Sequence, residues 1–192
     1  MFKHLLISFT LLLSACSAIP PKTSHNVCSV FSEQPEWYYA AELASRRWKV
    51  PVTVLMAIMY HESGFVADAK PPRPWLLGII PWFRSSSAYG YAQAKDETWS
   101  DYLTATHNPD KDRDDFADAI DFIAWYCRLS QRKLKIAEND AKRLYLAYHE
   151  GHSGYLHKTF MRKPWLIRYA EKVATTSTQF QHQLTTCKLQ TG

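Results

Sequence analysis

The 192-residue chain carries 23 Lys and Arg residues against 18 Asp and Glu residues, a formal net charge of +5, and 46% of its residues are hydrophobic. This length suits one domain, and the hydrophobic fraction is sufficient for a core. The positive excess is small and scattered. It excludes the dense basic surface expected for nucleic-acid binding and suits an anionic envelope polymer or a lipid surface.

The N-terminal residues are typical of a targeting segment. Lys3 and His4 precede an apolar run from Leu5 to Leu13 that is too short to span a bilayer. The following Leu-Ser-Ala-Cys sequence resembles the lipobox of bacterial lipoproteins, which implies cleavage before Cys16 and attachment of lipid to its thiol. An ordinary cleaved signal peptide is the alternative.

Ser17 follows that cysteine, and in lipoproteins this residue implies delivery to the outer membrane. We therefore expect a periplasmic protein anchored to the membrane through the lipid on Cys16. The expected organisation is a signal peptide over 1–15, a lipidated tether over 16–27 and one domain over 28–192.

Three cysteines remain for the domain. An exported protein meets an oxidising compartment, so we expect one disulfide. Cys28 is expected ahead of the first helix and Cys187 at the end of the last, so we predict that this pair joins the two ends of the domain. Cys127 lies in an apolar helical run and is expected to be a small core residue. A Cys28–Cys127 pairing stays open.

Apolar residues recur at helical spacing along most of the chain, which predicts a mainly α-helical domain. Four prolines prevent a long helix in the apolar stretch 66–88. This Pro-rich insert is expected to wall a substrate groove or dip into a membrane, or to be a short hairpin or loop on the core. The predicted helices are Glu36–Trp48, a segment from Pro51 to Gly64, Asp114–Lys133, Asn139–Tyr148 and Trp165–Thr185.

The second of these helices ends near a glutamate in an unusual position. Glu62 lies one turn beyond Ile58 and Met59, so it shares a face with residues expected to be buried. It also lies at the C-terminal end of the helix, where the helix dipole disfavours a negative charge. Both effects are expected to raise its pKa, which suits a general acid at neutral pH. A glutamate pointing into water is the alternative.

Two groups of polar residues suggest a metal site without having its spacing. His149 and His152 are three residues apart, whereas the zinc-protease helix motif places its histidines four apart. The alternating aspartates from Asp110 to Asp114 resemble a calcium loop, but Asp115 stands where such a loop requires glycine. We therefore predict helix capping by the aspartates, with no metal and no cofactor.

Three short motifs occur in order: Glu62-Ser63-Gly64-Phe65, Tyr89-Gly90-Tyr91-Ala92-Gln93 and Ala147-Tyr148-His149-Glu150-Gly151. Together they resemble the soluble lytic transglycosylase (SLT) family of lysozyme-like domains, whose usual motifs are Glu-Ser-x-Phe, Gly-Leu-Met-Gln and Ala-Tyr-Asn-Ala-Gly. The resemblance covers roughly residues 37–174. The chain departs from the family in having Gly-Tyr-Ala-Gln in the second motif and His-Glu in place of Asn-Ala in the third.

The resemblance implies cleavage of the β-1,4 bonds between N-acetylmuramic acid and N-acetylglucosamine in peptidoglycan, with a 1,6-anhydro product. Glu62 would be the single acid/base, and Tyr148 would hydrogen-bond Glu62 or the substrate. Gly90 would let the backbone approach the ligand. The remaining substrate contacts would be Ser63, Tyr91, Gln93 and His149.

Two alternatives stay open. A lysozyme-type hydrolase needs a second carboxylate, and the candidates are Asp68, Asp96, Glu97 and Glu150. A non-catalytic lipoprotein would keep the fold as a glycan-binding or scaffolding module, in an envelope or secretion-machine complex.

Overall fold

The computed structural model describes residues 19–73, 75–76, 80–81 and 86–187, and these form a mainly helical domain. The predicted signal peptide and Cys16 lie outside this part of the chain. The elements are α1 (Val27–Glu33), α2 (Pro35–Trp48), α3 (Val52–Ser63), β1 (Trp75–Leu76), β2 (Ile80–Pro81), α4 (Asp96–Thr106), α5 (Phe116–Leu134), α6 (Ala141–Leu156), a 3₁₀ turn (Thr159–Arg162) and α7 (Pro164–Thr186).

Helix α3 lies at the centre of the domain. All residues from Thr53 to Met59 are buried, because this helix is apolar around its whole circumference. Helices α2, α5, α6 and α7 pack around it. Gly64 ends the helix with a left-handed conformation (φ 62°), as predicted. The buried helix therefore carries Glu62 to the point where it emerges from the core.

Helices α5 and α6 confirm the predicted helical segments, with one difference. Asp115 caps α5, and its carboxylate accepts a hydrogen bond from the Asp118 backbone N–H at 2.9 Å, so helix capping accounts for this aspartate. Helix α6 continues to Leu156, past the predicted end at Tyr148. Gly151 has non-helical angles (φ 74°, ψ 163°), so α6 consists of two helical stretches that meet in a kink at this glycine, and the predicted segment corresponds to the first stretch.

The N-terminal part of the domain differs from the prediction. Cys28 lies inside α1 and not ahead of the first helix. Pro21 is buried, and the Lys22 backbone N–H donates to the Glu33 carboxylate at 3.0 Å. Part of the segment predicted as a tether is thus packed on the domain.

The predicted disulfide between Cys28 and Cys187 is present and joins residues 159 positions apart. Cys127 is buried and unpaired with another cysteine, as predicted. The described residues share one hydrophobic core. The disulfide joins the N-terminal helix of this domain to the end of its C-terminal helix. We therefore expect the segment from residue 19 onwards to fold on its own.

Within the Pro-rich insert, β1 and β2 pair in antiparallel fashion, with Trp75 opposite Pro81. The chain therefore forms a short hairpin here, which was one of the predicted alternatives. The side chains of 74–85 lie outside the described residues. Among the helices that the structure does describe, none combines the length and apolar character needed to cross a bilayer.

Candidate catalytic cleft

A cleft of about 340 Å³ opens where α3 ends. Its walls come from the end of α3, the segment 88–98, the middle of α5 and the kink of α6. Three larger concavities lie elsewhere on the described surface, and Glu62 lines none of them. The lining of the cleft includes Glu62, Gln93, Tyr126, Tyr148, His149 and Glu150.

The Glu62 carboxyl has the raised pKa that the sequence predicts. Burial raises its pKa from 4.5 to about 7, and a hydrogen bond from Tyr145 opposes part of this shift. A carboxyl with this pKa is protonated in about half of the molecules at neutral pH. The same side chain can therefore give a proton and take one back.

The tyrosine that bonds to Glu62 is Tyr145, which is outside the set of predicted site residues. Its side chain is 3% exposed. Burial and the nearby Glu62 charge raise the pKa of Tyr145, so its hydroxyl stays protonated. Tyr145 precedes Tyr148 by three residues and shares its helix face, and that spacing was the available signal.

Tyr148 was predicted to hydrogen-bond Glu62 or the substrate, but the structure shows a different partner for its hydroxyl. Tyr148 lines the cleft, but its hydroxyl donates to the Ala92 carbonyl oxygen at 2.6 Å. The bond ties α6 to the segment that carries Gln93. Tyr148 therefore joins two walls of the cleft.

Gln93 is held by its own loop. Its Nε2 donates to the carbonyl oxygens of Ala69 and Gly90, each at 2.9 Å. Both amide hydrogens are used in these bonds, so the remaining polar atom is the acceptor Oε1. This atom suits a hydroxyl or an N–H of a sugar.

Gly90 allows a close backbone approach, but the approaching group belongs to the protein. Gly90 has φ 77°, and a Cβ there would lie 2.1 Å from the Arg113 carbonyl oxygen. Tyr91 next to it is 1% exposed and packs against Trp37 and Phe116. The structure gives Gly90 and Tyr91 packing roles that shape the loop, and Tyr91 does not line the cleft.

Substituting Gly90→Ala is expected to destabilise the domain by about 3 kcal/mol, because the new Cβ meets backbone and the left-handed φ is strained. The matched control is Gly64→Ala. Gly64 also has positive φ (62°), but its Cβ would meet nothing within 4 Å, so we expect only about 1 kcal/mol. Urea unfolding of both variants measures the difference, and equal losses would contradict the packing role of Gly90.

Ser63 and His149 occupy different positions relative to the cleft. The Ser63 hydroxyl donates to the Met59 carbonyl at 3.3 Å within its own helix, and Ser63 is not among the described residues that line the cleft. His149 does line it. Its Nδ1 lies 3.0 Å from the Glu150 carboxylate, and its ring meets the edge of Trp165 at 5.4 Å between centroids.

Glu150, the most unusual residue of the third motif, is a buried carboxylate in an ion pair. Its side chain is 4% exposed, and Lys163 Nζ lies 2.7 Å from Oε1. The Thr159 hydroxyl donates to Oε2. Burial raises the pKa of Glu150, but the hydrogen bonds from Lys163, Thr159 and His149 outweigh it and lower the pKa to about 2. Glu150 is thus ionised at neutral pH, with both oxygens engaged.

The other carboxylates considered as partners for Glu62 lie elsewhere. Asp68 and Glu97 are exposed, and Asp96 forms an ion pair with Arg113 at 2.7 Å. Among the described residues that line the cleft, the carboxyl groups are those of Glu62 and Glu150. Only Glu62 of this pair has a pKa suited to proton transfer near neutral pH.

The histidines that follow the third motif contact different parts of the protein. His152 stacks on Tyr126 at 4.7 Å and bonds to the Ser130 hydroxyl at 2.9 Å, whereas His157 bonds to the Ser153 carbonyl. Within the described ranges, no group of three or more His, Cys, Asp or Glu side chains converges as metal ligands would.

Comparison with known families agrees with the motifs. A protein-family model described as "Transglycosylase SLT domain" matches residues 4–187. The chain therefore belongs to the SLT transglycosylase family, and its helical domain is of the lysozyme-like SLT type. Members of this family are lytic transglycosylases acting on the glycan strands of peptidoglycan. No curated protein and no solved structure matches the chain.

Proposed function

We propose that this protein is a lytic transglycosylase that cleaves the bond between N-acetylmuramic acid and N-acetylglucosamine and leaves a 1,6-anhydro end. The observation that carries the proposal is the raised pKa of Glu62, about 7, in a cleft whose second carboxylate is ionised and fully bonded. Membership of the SLT family supports the substrate class.

In the proposed first step, protonated Glu62 donates its proton to the glycosidic oxygen as the bond from that oxygen to the muramic C1 breaks. In the second step, ionised Glu62 takes the proton of the muramic 6-hydroxyl as its oxygen bonds to C1. The proton that Glu62 loses in the first step is replaced in the second, so one carboxyl is sufficient and no water is consumed. Tyr145 hydrogen-bonds the carboxyl and orients it.

The surrounding residues position the sugar in this proposal. Gln93 Oε1 accepts from a sugar hydroxyl or N–H, and the aromatic rings of Tyr148 and Tyr126 form an apolar wall. His149 contacts the substrate beside the kink of α6, where Glu150 holds its Nδ1. Ser63 makes no direct contact with the sugar in this proposal, and it affects the reaction only by positioning its neighbour Glu62.

A lysozyme-type hydrolase is the second candidate, because Glu150 lines the same cleft as Glu62. That mechanism requires the second carboxylate to act as a nucleophile or to activate water. The Glu150 oxygens are already engaged with Lys163, Thr159 and His149. These bonds favour a structural role for Glu150.

The test compares Glu150→Gln with Glu62→Gln in the clearing of purified sacculi. If Glu150 is structural, Glu150→Gln lowers stability by about 2 kcal/mol, because Lys163 loses its partner, but still releases anhydro-muropeptides below its melting temperature. If both variants remain folded but release no soluble muropeptides, both carboxyl groups are needed for cleavage, and the hydrolase is favoured. Sacculus binding by an inactive wild type would instead favour a scaffolding module in an envelope or secretion complex.

We propose that the protein is periplasmic and anchored to the outer membrane, on the basis of the lipobox-like sequence that ends at Cys16. Lipid on Cys16 would place a periplasmic domain at the inner face of the outer membrane. The chain already packs on the domain at Pro21 and Lys22. The segment between the lipid on Cys16 and the folded domain would therefore be short.

A further inference from the structure

One surface next to the cleft combines exposed apolar side chains with positive charge. We call it the ledge and define it as residues 156–168, which comprise the end of α6, the 3₁₀ turn and the first part of α7. Leu156, Met161 and Trp165 are 64%, 62% and 53% exposed. They are three of the six large hydrophobic side chains that are exposed in the described part of the chain.

The charged residues of the ledge itself are all basic. Residues 151–170 include Lys158, Arg162, Lys163 and Arg168 and contain no Asp or Glu. Among the described residues, only Lys163 of these four is in an ion pair, and its partner is Glu150 of the cleft. The other three are exposed. The ledge therefore attracts carboxylates or phosphates, and guanidinium groups bind carboxylates well.

The ledge is fixed to the rim of the cleft by three contacts. Trp165 meets the His149 ring at 5.4 Å, Lys163 lies 2.7 Å from Glu150, and Thr159 donates to the same carboxylate. A polymer lying in the cleft and extending past His149 meets the ledge next. Continuity with the cleft thus favours the substrate itself as the occupant.

We propose that the ledge binds the peptide stems of the peptidoglycan strand whose glycan lies in the cleft. This inference rests on the proposed function. Peptide stems carry free carboxylates for Arg162 and Arg168, and their alanine methyl groups suit the exposed Trp165 and Met161. Peptide-bearing strands are then bound more tightly than glycan stripped of its peptides.

The test measures binding and needs no catalysis. Residues 19–192 carrying Glu62→Gln are sedimented with intact sacculi, with sacculi stripped of stems by an amidase, and with vesicles of anionic phospholipid. The ledge variant is Arg162→Glu/Arg168→Glu. The control is Arg132→Glu/Lys133→Glu, at two exposed residues at the end of α5. It changes the net charge by the same amount as the ledge variant does. Circular dichroism verifies that each variant is folded.

We expect the ledge variant to bind intact sacculi about tenfold more weakly than its parent. On stripped sacculi, and for the control variant on either polymer, the change is expected to stay below about twofold. Equal losses on intact and stripped sacculi, or no loss on either, would overturn the proposal. A loss confined to vesicles would overturn it in favour of a membrane contact. An inactive wild type would refute the proposed function without changing these binding results.

Discussion

Replacing Glu62 by Gln is expected to lower the rate of peptidoglycan cleavage by about 10³-fold while making the folded protein more stable above pH 7. Gln has the same shape but can neither donate the proton nor take it back. The stability gain arises because the native state holds the proton of Glu62 more tightly than the unfolded chain does. Wild-type stability therefore falls as the pH rises from about 4.5 to about 7.

The gain at pH 8 is at most about 3 kcal/mol, since one pKa unit corresponds to about 1.4 kcal/mol and the carboxyl retains some solvent contact. At pH 4 the carboxyl is protonated in both states, and the gain disappears. The control is Glu138→Gln at an exposed glutamate, which should change neither activity nor stability. A Glu62→Gln protein that retains activity, or is less stable at pH 8, would contradict the role given to this carboxyl.

Removing the disulfide with Cys28→Ser/Cys187→Ser is expected to lower the free energy of unfolding by about 5 kcal/mol. The bridge closes a loop across 159 residues, and the entropy of an unfolded chain rises with the length of loop released. Part of the constraint survives, because Gln183 accepts from the Val27 N–H at 2.8 Å and donates to the His25 carbonyl. Urea unfolding of both proteins gives the difference.

A reducing agent provides the internal control for this prediction. It should lower the unfolding midpoint of the wild type to that of the double variant and leave the double variant unchanged. Cys127 is buried, and burial raises its pKa to about 12, so its thiol is unreactive under these conditions. A loss below about 1 kcal/mol would mean that the α1–α7 contact holds the ends together without the bridge.

Local sequence signals predicted five of the seven described α-helices, but not α1 and α4, and they predicted the position of Glu62. The apolar character of α3 requires burial on every side, so a carboxylate at its end must lie at the edge of the core. The cysteine pairing followed from the positions of Cys28 and Cys187 at opposite ends of the helical segment. Capping by the aspartates ahead of α5 and the end of α3 at Gly64 were predicted because capping depends on a few neighbouring residues.

The sequence did not predict the contacts that depend on how the elements pack. Tyr145 and Tyr148 share a face of α6, and only the packing of α6 against α3 decides which hydroxyl reaches Glu62. The ion pair between Glu150 and Lys163 joins residues 13 positions apart across the kink and the 3₁₀ turn, and no local pattern predicts it. Tyr91 lies in the core because its loop folds against Trp37.

In the proposed mechanism, a single carboxyl cleaves the strand without consuming water. The most direct test is mass spectrometry of the muropeptides that the wild type releases from sacculi in water enriched in heavy oxygen. We expect terminal muramic residues lighter by one water molecule than reducing ends and free of the heavy isotope. Reducing ends that carry heavy oxygen would contradict this account and would make Glu150 the carboxylate to test next.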